Sequence, residues 1–554
     1  MSDPHVLPSS VPENSTTVET PTTDVSRRGF LRGAGVLAAA GLTAGGSTLA
    51  TPDAAEAADP IGPLSARQRR VRAFQVRNRA ARRLALDVPP AQEANDDENY
   101  ADYRASFCKC LPHDAIGEVD PAAYQSFLNA LSTGDPNAFE QIPLSSSAGR
   151  KLANPQGAYA YEMTGGDGHS ARMPPAPAFN SAFTATEMAE VYWQALTRDV
   201  PFNDYGTDPL VAAAVADLNA FPGSFGATDG GVITPGTLFR GETVGDLIGP
   251  YISQFMWWPI PYGPTTVEQR YRQPVAGDDF MIDFAEWLEI QRGAAPTRSN
   301  TFDPTLRYIH SNRSLGEWVH NDFTYQGYLN AALILLGLGN AGATNNPYIG
   351  SATQGAFVTF GGPQVLDLVT RAAVVSLKAA WYQKWLVHRR LRPEVFAARV
   401  ENTLNGTKTY DVHPTILNSD AVARVLGANG NALLPMAYTE GSPTHPSYPA
   451  GHATIAGACC TVLKAFFNED YVLPDPVVAS SDGLALDPWT GADLTVGNEI
   501  NKLAANIAIG RDAAGVHYRT DGVDGLDIGE QVAIGMLRDY STVYTENAEG
   551  FRLT

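Results

Sequence analysis

The chain has 554 residues, 44% of them hydrophobic, with 59 acidic against 39 basic side chains and a formal net charge of −20. Such a length supplies one very large core or two ordinary ones. The acidic balance excludes general attraction to nucleic acid or anionic membrane, so any anion site must gather its bases locally.

Met1 to Val25 is rich in Ser, Thr, Pro and Glu and reads as a disordered leader. Ser26-Arg27-Arg28-Gly29-Phe30-Leu31 then precedes an apolar run from Gly33 to Ala50, and Ala55-Glu56-Ala57 offers the small-residue spacing of a signal-peptidase site. Residues 1–57 are therefore expected to be a leader plus a twin-arginine export signal, leaving 58–554 as a single domain in the periplasm or outside the cell. No later stretch is long and apolar enough to span a bilayer, so no membrane attachment is expected after cleavage.

Arg67 to Leu86 carries eight arginines with a narrow apolar stripe and reads as an exposed helix rather than a nucleic-acid arm. Four cysteines are no disulfide framework. Cys108-Lys109-Cys110 is too close-set for an easy mutual bridge and lacks the second pair of a zinc site; an intersubunit bridge through either stays open. Cys459 and Cys460 sit in an apolar helical pattern and are expected in the core. Asp278–Gln291, Leu315–Gly337, Val365–Leu391, His452–Phe467 and Val496–Ile509 all show helical spacing, separated by Pro/Gly-rich loops, and strand patterns are few and short. The expected fold is all-α, with long functional loops.

Three motifs between residues 381 and 521 carry the chemistry. In Trp381-Tyr-Gln-Lys384-Trp-Leu-Val-His388-Arg-Arg-Leu-Arg392-Pro393-Glu394, the bases Lys384, His388 and Arg392 recur every fourth residue, which predicts one cationic helical stripe ended by Pro393. In His445-Pro-Ser-Tyr-Pro-Ala450-Gly451-His452, a Pro/Gly turn opens an apolar helix and presents free N–H groups to an anion, with His452 at the rim for proton transfer. In Gly510-Arg511-Asp-Ala-Ala-Gly-Val-His517-Tyr-Arg-Thr-Asp521, Arg511 offers a fork for a tetrahedral oxyanion, and Asp521, one helical turn past His517, is expected to orient that imidazole.

Taken in this order, the motifs resemble the superfamily shared by vanadium haloperoxidases and type-2 phosphatidic acid phosphatases. The His445-Pro-Ser-Tyr-Pro lead-in, Leu238-Phe239-Arg240-Gly241, Gly249-Pro-Tyr-Ile-Ser-Gln-Phe255 and His320-Asn-Asp322-Phe-Thr-Tyr-Gln326 are similar to algal-type bromoperoxidases and their bacterial relatives. The resemblance runs from about Asn99 to the C-terminus. It implies a large helical-bundle domain of the haloperoxidase and acid phosphatase type. It also implies a vanadate cofactor, bromide or iodide as halide with chloride left open, hydrogen peroxide as oxidant, a small organic acceptor, and a homo-oligomer. Carried over by position, Lys384, Arg392, Arg511 and the Gly451 N–H would hold vanadate oxygens. His517 would bond the metal, His452 would deprotonate peroxide, and Trp381, His445 and Asp521 would shape the surroundings. Asp322 would be the carboxylate that steadies the cations.

Two departures stand out. Ala450 replaces the serine of many relatives and removes one hydroxyl contact. The loop Asn345–Val358 holds no carboxylate, which argues against calcium there. A phosphatase using the same pocket, with His517 as nucleophile, is the rival reading, and an oxyanion-binding protein without turnover is a third.

Overall fold

The computed structural model describes residues 62–94, 100, 102–222, 226–339, 341–342, 344–546 and 551. The chain divides into two units, Met1–Arg72 and Ala73–Thr554. The expected leader and export signal lie outside the described residues.

Local sequence sets the helix starts. Helix α1 (Ala66–Leu86) buries none of its residues, as its ring of arginines requires. Helices α2 (Pro121–Thr133) and α4 (Pro209–Ala220) each begin Asp-Pro, where the aspartate accepts a first-turn N–H and the proline has none to waste. Ser181 caps α3 (Ala182–Leu196) and Asp283 caps α5 (Phe284–Gln291). That aspartate starts α5 six residues later than the apolar pattern suggests.

The expected helix Leu315–Gly337 is two helices, α6 (Asn312–Asn321) and α7 (Gln326–Gly337). Asp322 is extended and Thr324 adopts φ 30° between them. Apolar residues on both pieces satisfy the same core, so hydrophobic spacing alone did not reveal the break. Downstream lie α8 (Gly362–Tyr382), α9 (Pro393–Leu404), α10 (Asp420–Asn429), α11 (Gly451–Phe466), α12 (Val496–Ala513) and α13 (Arg519–Tyr540).

Strands among the described residues are three two-stranded antiparallel ladders: β1 (Ile260–Tyr262) with β2 (Thr265–Val267), β3 (Tyr271–Pro274) with β4 (Phe302–Arg307), and β5 (Val477–Ala479) with β6 (Leu486–Pro488). The fold is all-α with these short additions.

Helix α11 is the axis of the functional half. Fourteen of its residues are buried, and it packs against α8, α12 and, most extensively, α13. Glycines permit that closeness. A Cβ on Gly457 would stand 2.1 Å from the Leu526 carbonyl oxygen, and one on Gly529 would stand 2.1 Å from that of Thr454. The small faces of α11 and α13 thus bring backbone onto backbone and fix where both helices begin.

All four cysteines are buried free thiols. Cys108 Sγ lies 3.2 Å from His113 Nε2. Neither Cys108 nor Cys110, at 1% and 0% exposure, offers sulfur to a second subunit in this conformation.

Candidate active site

The N-terminus of α11, the end of α12 and the loop before α13 meet at a cavity of about 190 Å³, lined by Asp322, Trp381, His445, Gly451, His452, Arg511 and His517 among others. Lys384 and Arg392 stand behind this wall. The three sequence motifs therefore converge, but not by the route expected for two of them.

Helix α8 passes into a wider, π-type turn at Gln383–His388 and stops there, with Arg389 left-handed at φ 47° donating its N–H to the Lys384 carbonyl. Pro393 starts α9 instead of ending a helix, and Arg392 is its N-cap residue. Lys384 and Arg392 thus approach the pocket from two segments rather than one stripe. His388 leaves the set and packs edge-on against Tyr448, with ring centroids 4.7 Å apart.

His517 lies in the loop between α12 and α13, not on a helix. Its Nδ1 is 2.8 Å from Asp521 Oδ2, because Asp521 sits in the first turn of α13, where it also accepts the Tyr518 N–H. Arginine can only donate, so the 2.9 Å contact from Arg392 Nη1 makes His517 Nε2 the acceptor nitrogen. Nδ1 then carries the proton and donates to Asp521. A single neutral imidazole lone pair faces the cation cluster.

His445 Nδ1 sits between a donor and an acceptor, 3.0 Å from Arg392 Nη2 and 3.1 Å from the Pro446 carbonyl oxygen. The His445 ring lies 4.9 Å from that of Trp381. His452, its side chain 28% exposed at the rim, holds Asp322 Oδ1 at 2.9 Å through Nε2. Asp322 thus partners the rim histidine rather than the cations.

The cations are buried with no carboxylate in ion-pair contact among the described residues. Lys384 Nζ donates to the Pro446 and Ser447 carbonyls at 2.7 and 2.8 Å. Arg392 donates to the carbonyls of His445 and Val516 besides the two rings. Arg511 Nη1 reaches the Val319 carbonyl and the Tyr438 hydroxyl, while its buried Nε has no partner among the described residues. Burial, then mutual repulsion, pushes the Lys384 ammonium well below its usual range. Burial drives the Arg392 guanidinium down to about 9. Burial and these neighbours also hold His517 and His445 well below the usual imidazole value, and burial with Arg511 lowers His452. Such a donor set suits a multiply charged oxyanion, which supplies the missing negative charge, plus one nitrogen ligand.

The α11 N-terminus adds backbone donors. Ala450 is its N-cap and offers no side-chain cap, which leaves first-turn N–H groups, Gly451 among them, to another acceptor.

Sequence reasoning missed the frame behind His517. Ser447 Oγ donates to Asp521 Oδ2, and Arg390 bridges Asp521 Oδ1 and Glu187 Oε2, each at 2.9 Å. Arg390 and Ser447 both stand inside the quoted motifs, but Glu187 lies 203 residues from Arg390, and only the fold joins them.

Fold and pocket define a class: a helical bundle with a buried, cation-rich pocket at a helix N-terminus. Residues 365–545 match the family model described as VCPO second helical-bundle domain. The chain is 38% identical over 531 residues to a vanadium-dependent bromoperoxidase of Ascophyllum nodosum, covering 91% of this chain and 94% of that protein. It is 34% identical over 543 residues to one of Corallina pilulifera, covering 82% and 90%. The homohexameric structure of the second vanadate-dependent bromoperoxidase from Ascophyllum nodosum matches with a TM-score of 0.83 and 32% identity, across 92% of this chain and 90% of that one. The chain belongs to the vanadium-dependent haloperoxidase family, beside the algal bromoperoxidases.

Proposed function

We propose that this protein oxidises halide, bromide or iodide first, with hydrogen peroxide, using vanadate held in the cationic pocket. The observation that carries this reading is the burial of Lys384, Arg392 and Arg511 around the His517 Nε2 lone pair with no carboxylate in ion-pair contact among the described residues. Lys384, Arg392, Arg511 and the Gly451 N–H would hold the oxygens, and His517 Nε2 would be the metal ligand. When bound, vanadate supplies a Lewis-acidic centre that makes peroxide electrophilic toward halide without a change in metal oxidation state.

The chain's own groups do the rest. Asp521 fixes the His517 tautomer, so that Nε2 keeps its lone pair. His452 keeps its Nε2–H on Asp322, which leaves Nδ1 as the basic atom. Its lowered pKa keeps that atom free to take a peroxide proton near neutral pH, and Asp322 stabilises the imidazolium that results. Lys384 and the two arginines stabilise negative charge as it develops. Trp381 and His445 wall the cavity where halide would approach.

Self-assembly is part of this proposal, supported by the homohexamer of the structural relative. So is export, supported by Ser26–Leu31 and Ala55–Ala57, with the mature protein in the periplasm or outside the cell. The test is vanadate-reconstituted protein given bromide, peroxide and a dye acceptor, beside a phosphate ester given to vanadate-free protein. Dye bromination that depends on vanadate is expected. Its absence, together with rapid ester cleavage, would assign the pocket to a phosphatase.

A further inference from the structure

A second cavity, of about 280 Å³, stands on the other side of the α6–α7 break. Asn321 and Gln326 line it, while Asp322 and Thr324, between them in sequence, line the catalytic pocket. One short segment thus walls both spaces. The second cavity is amphipathic. Ile260 and Trp318 supply apolar wall, Glu317 and Asn330 polar wall, and Arg272 a cation.

Two of these lining side chains have no protein partner among the described residues. Asn330 is only 7% exposed, yet its amide makes no side-chain hydrogen bond among the described residues. It lines the cavity, where its amide can both donate and accept. Arg272, exposed on β3, has no ion pair among the described residues. Glu317 is bonded by the Asn321 amide at 2.7 Å, and burial pushes its carboxyl up to about 7. It can therefore both accept and donate near neutral pH.

We propose that this cavity binds the organic acceptor, a small phenol bearing a carboxylate, beside the pocket where halide is oxidised. This rests on the function proposed above. The ring lies along Ile260 and Trp318, the carboxylate meets Arg272, and the phenol hydroxyl meets Asn330 and Glu317. Hydrogen peroxide, bromide and a proton give hypobromous acid and water in the catalytic pocket. The phenol ring then gives an electron pair to bromine, and hydroxide leaves the bromine and takes the displaced ring proton as water. Only the segment holding Asp322 and Thr324 separates the two spaces, so an acceptor held here lies beside the place where hypohalous acid forms.

Binding of 4-hydroxybenzoate to vanadate-free protein, followed by calorimetry, is the direct test, with Asn330→Leu and Arg272→Ala as variants. Arg272 is exposed, so its variant folds even where Asn330→Leu does not. Wild-type protein should bind, and each variant should bind roughly three- to tenfold more weakly, the effect of one lost hydrogen bond or exposed ion pair. Reconstituted variants should show the same shift in KM for bromination of 4-hydroxybenzoate, with acceptor-free oxidation of iodide to triiodide unchanged. No binding by wild type, or unchanged affinity and KM in both variants, overturns the proposal and leaves hypohalite to diffuse freely. A wild-type protein that binds the phenol but oxidises no iodide would refute the catalytic reading, not the cavity's ligand.

Discussion

Arg390 and Arg392 are two residues apart and both buried, yet they live in opposite electrostatic worlds. Arg390 is clamped between the Glu187 and Asp521 carboxylates, with its guanidinium 3.9 Å from the centre of the Tyr518 ring. Those two charges outweigh burial and hold its pKa above the ordinary range. Arg392 meets carbonyls and two neutral imidazoles, and burial drives it down to about 9. The first arginine is complete without a ligand, and the second is not. That contrast separates the frame of the site from its working surface, because a folded chain tolerates an uncompensated buried cation where a bound anion is to complete it.

The sharpest way to break the comparison is Arg390→Met. Removing one member of a buried ion cluster strands the others, here Glu187 and Asp521, at a cost of about 3–5 kcal/mol. Urea denaturation should show that loss. A change below about 1 kcal/mol, within the range of exposed pairs, would mean Arg390 contributes no more than a surface bridge.

Glu317 is the anionic counterpart of Arg392, a buried carboxylate with no Lys or Arg in ion-pair contact among the described residues and the His320 ring 4.0 Å away. Burial raises its pKa from 4.5 to about 7. In the unfolded chain the group titrates near 4.5, so between these values the folded state holds the extra proton. The wild-type protein therefore loses stability as pH rises through this window, and the loss is complete above it. Glu317→Gln cannot ionise and still accepts from Asn321. It should match the wild type at pH 4.5 and exceed it by roughly 3 kcal/mol at pH 8. Equal midpoints for the two proteins at pH 8 would show that the carboxylate is better solvated than its surroundings imply.

How much of this was legible follows from the same contrast. The residues in and behind the pocket wall carry their chemistry in their identities, so Lys384, Arg392, Gly451, His452, Arg511 and His517 could be picked out from motif and spacing. Periodicity then misplaced the backbone that delivers them. A four-residue repeat made His388 look like a partner of Lys384, whereas the chain leaves the helix at Arg389 and carries Arg392 round by another path. The His517–Asp521 spacing suggested one helical turn, and the actual contact is a loop residue held by a first-turn carboxylate. The frame was largely invisible because its contacts are long-range: Arg390 to Glu187 spans 203 residues, and the cavity beside the α6–α7 break is built from β3, α6 and α7. Type and spacing report chemistry, while topology decides who completes whose charge.

Arg392→Met tests the working side of the comparison, with a smaller stability effect and a larger functional one. The substitution removes a cation that burial already penalises, so stability should change by less than in Arg390→Met. Oxyanion binding should suffer, because a charge-assisted hydrogen bond contributes about 1.5–3 kcal/mol, which is roughly a 10- to 100-fold loss of affinity. Vanadate titration monitored by recovered bromination measures the affinity, and urea denaturation of vanadate-free protein measures the stability. If Arg392→Met unfolds as readily as Arg390→Met while vanadate affinity stays within twofold, the two arginines share one structural role and the division drawn between them is wrong.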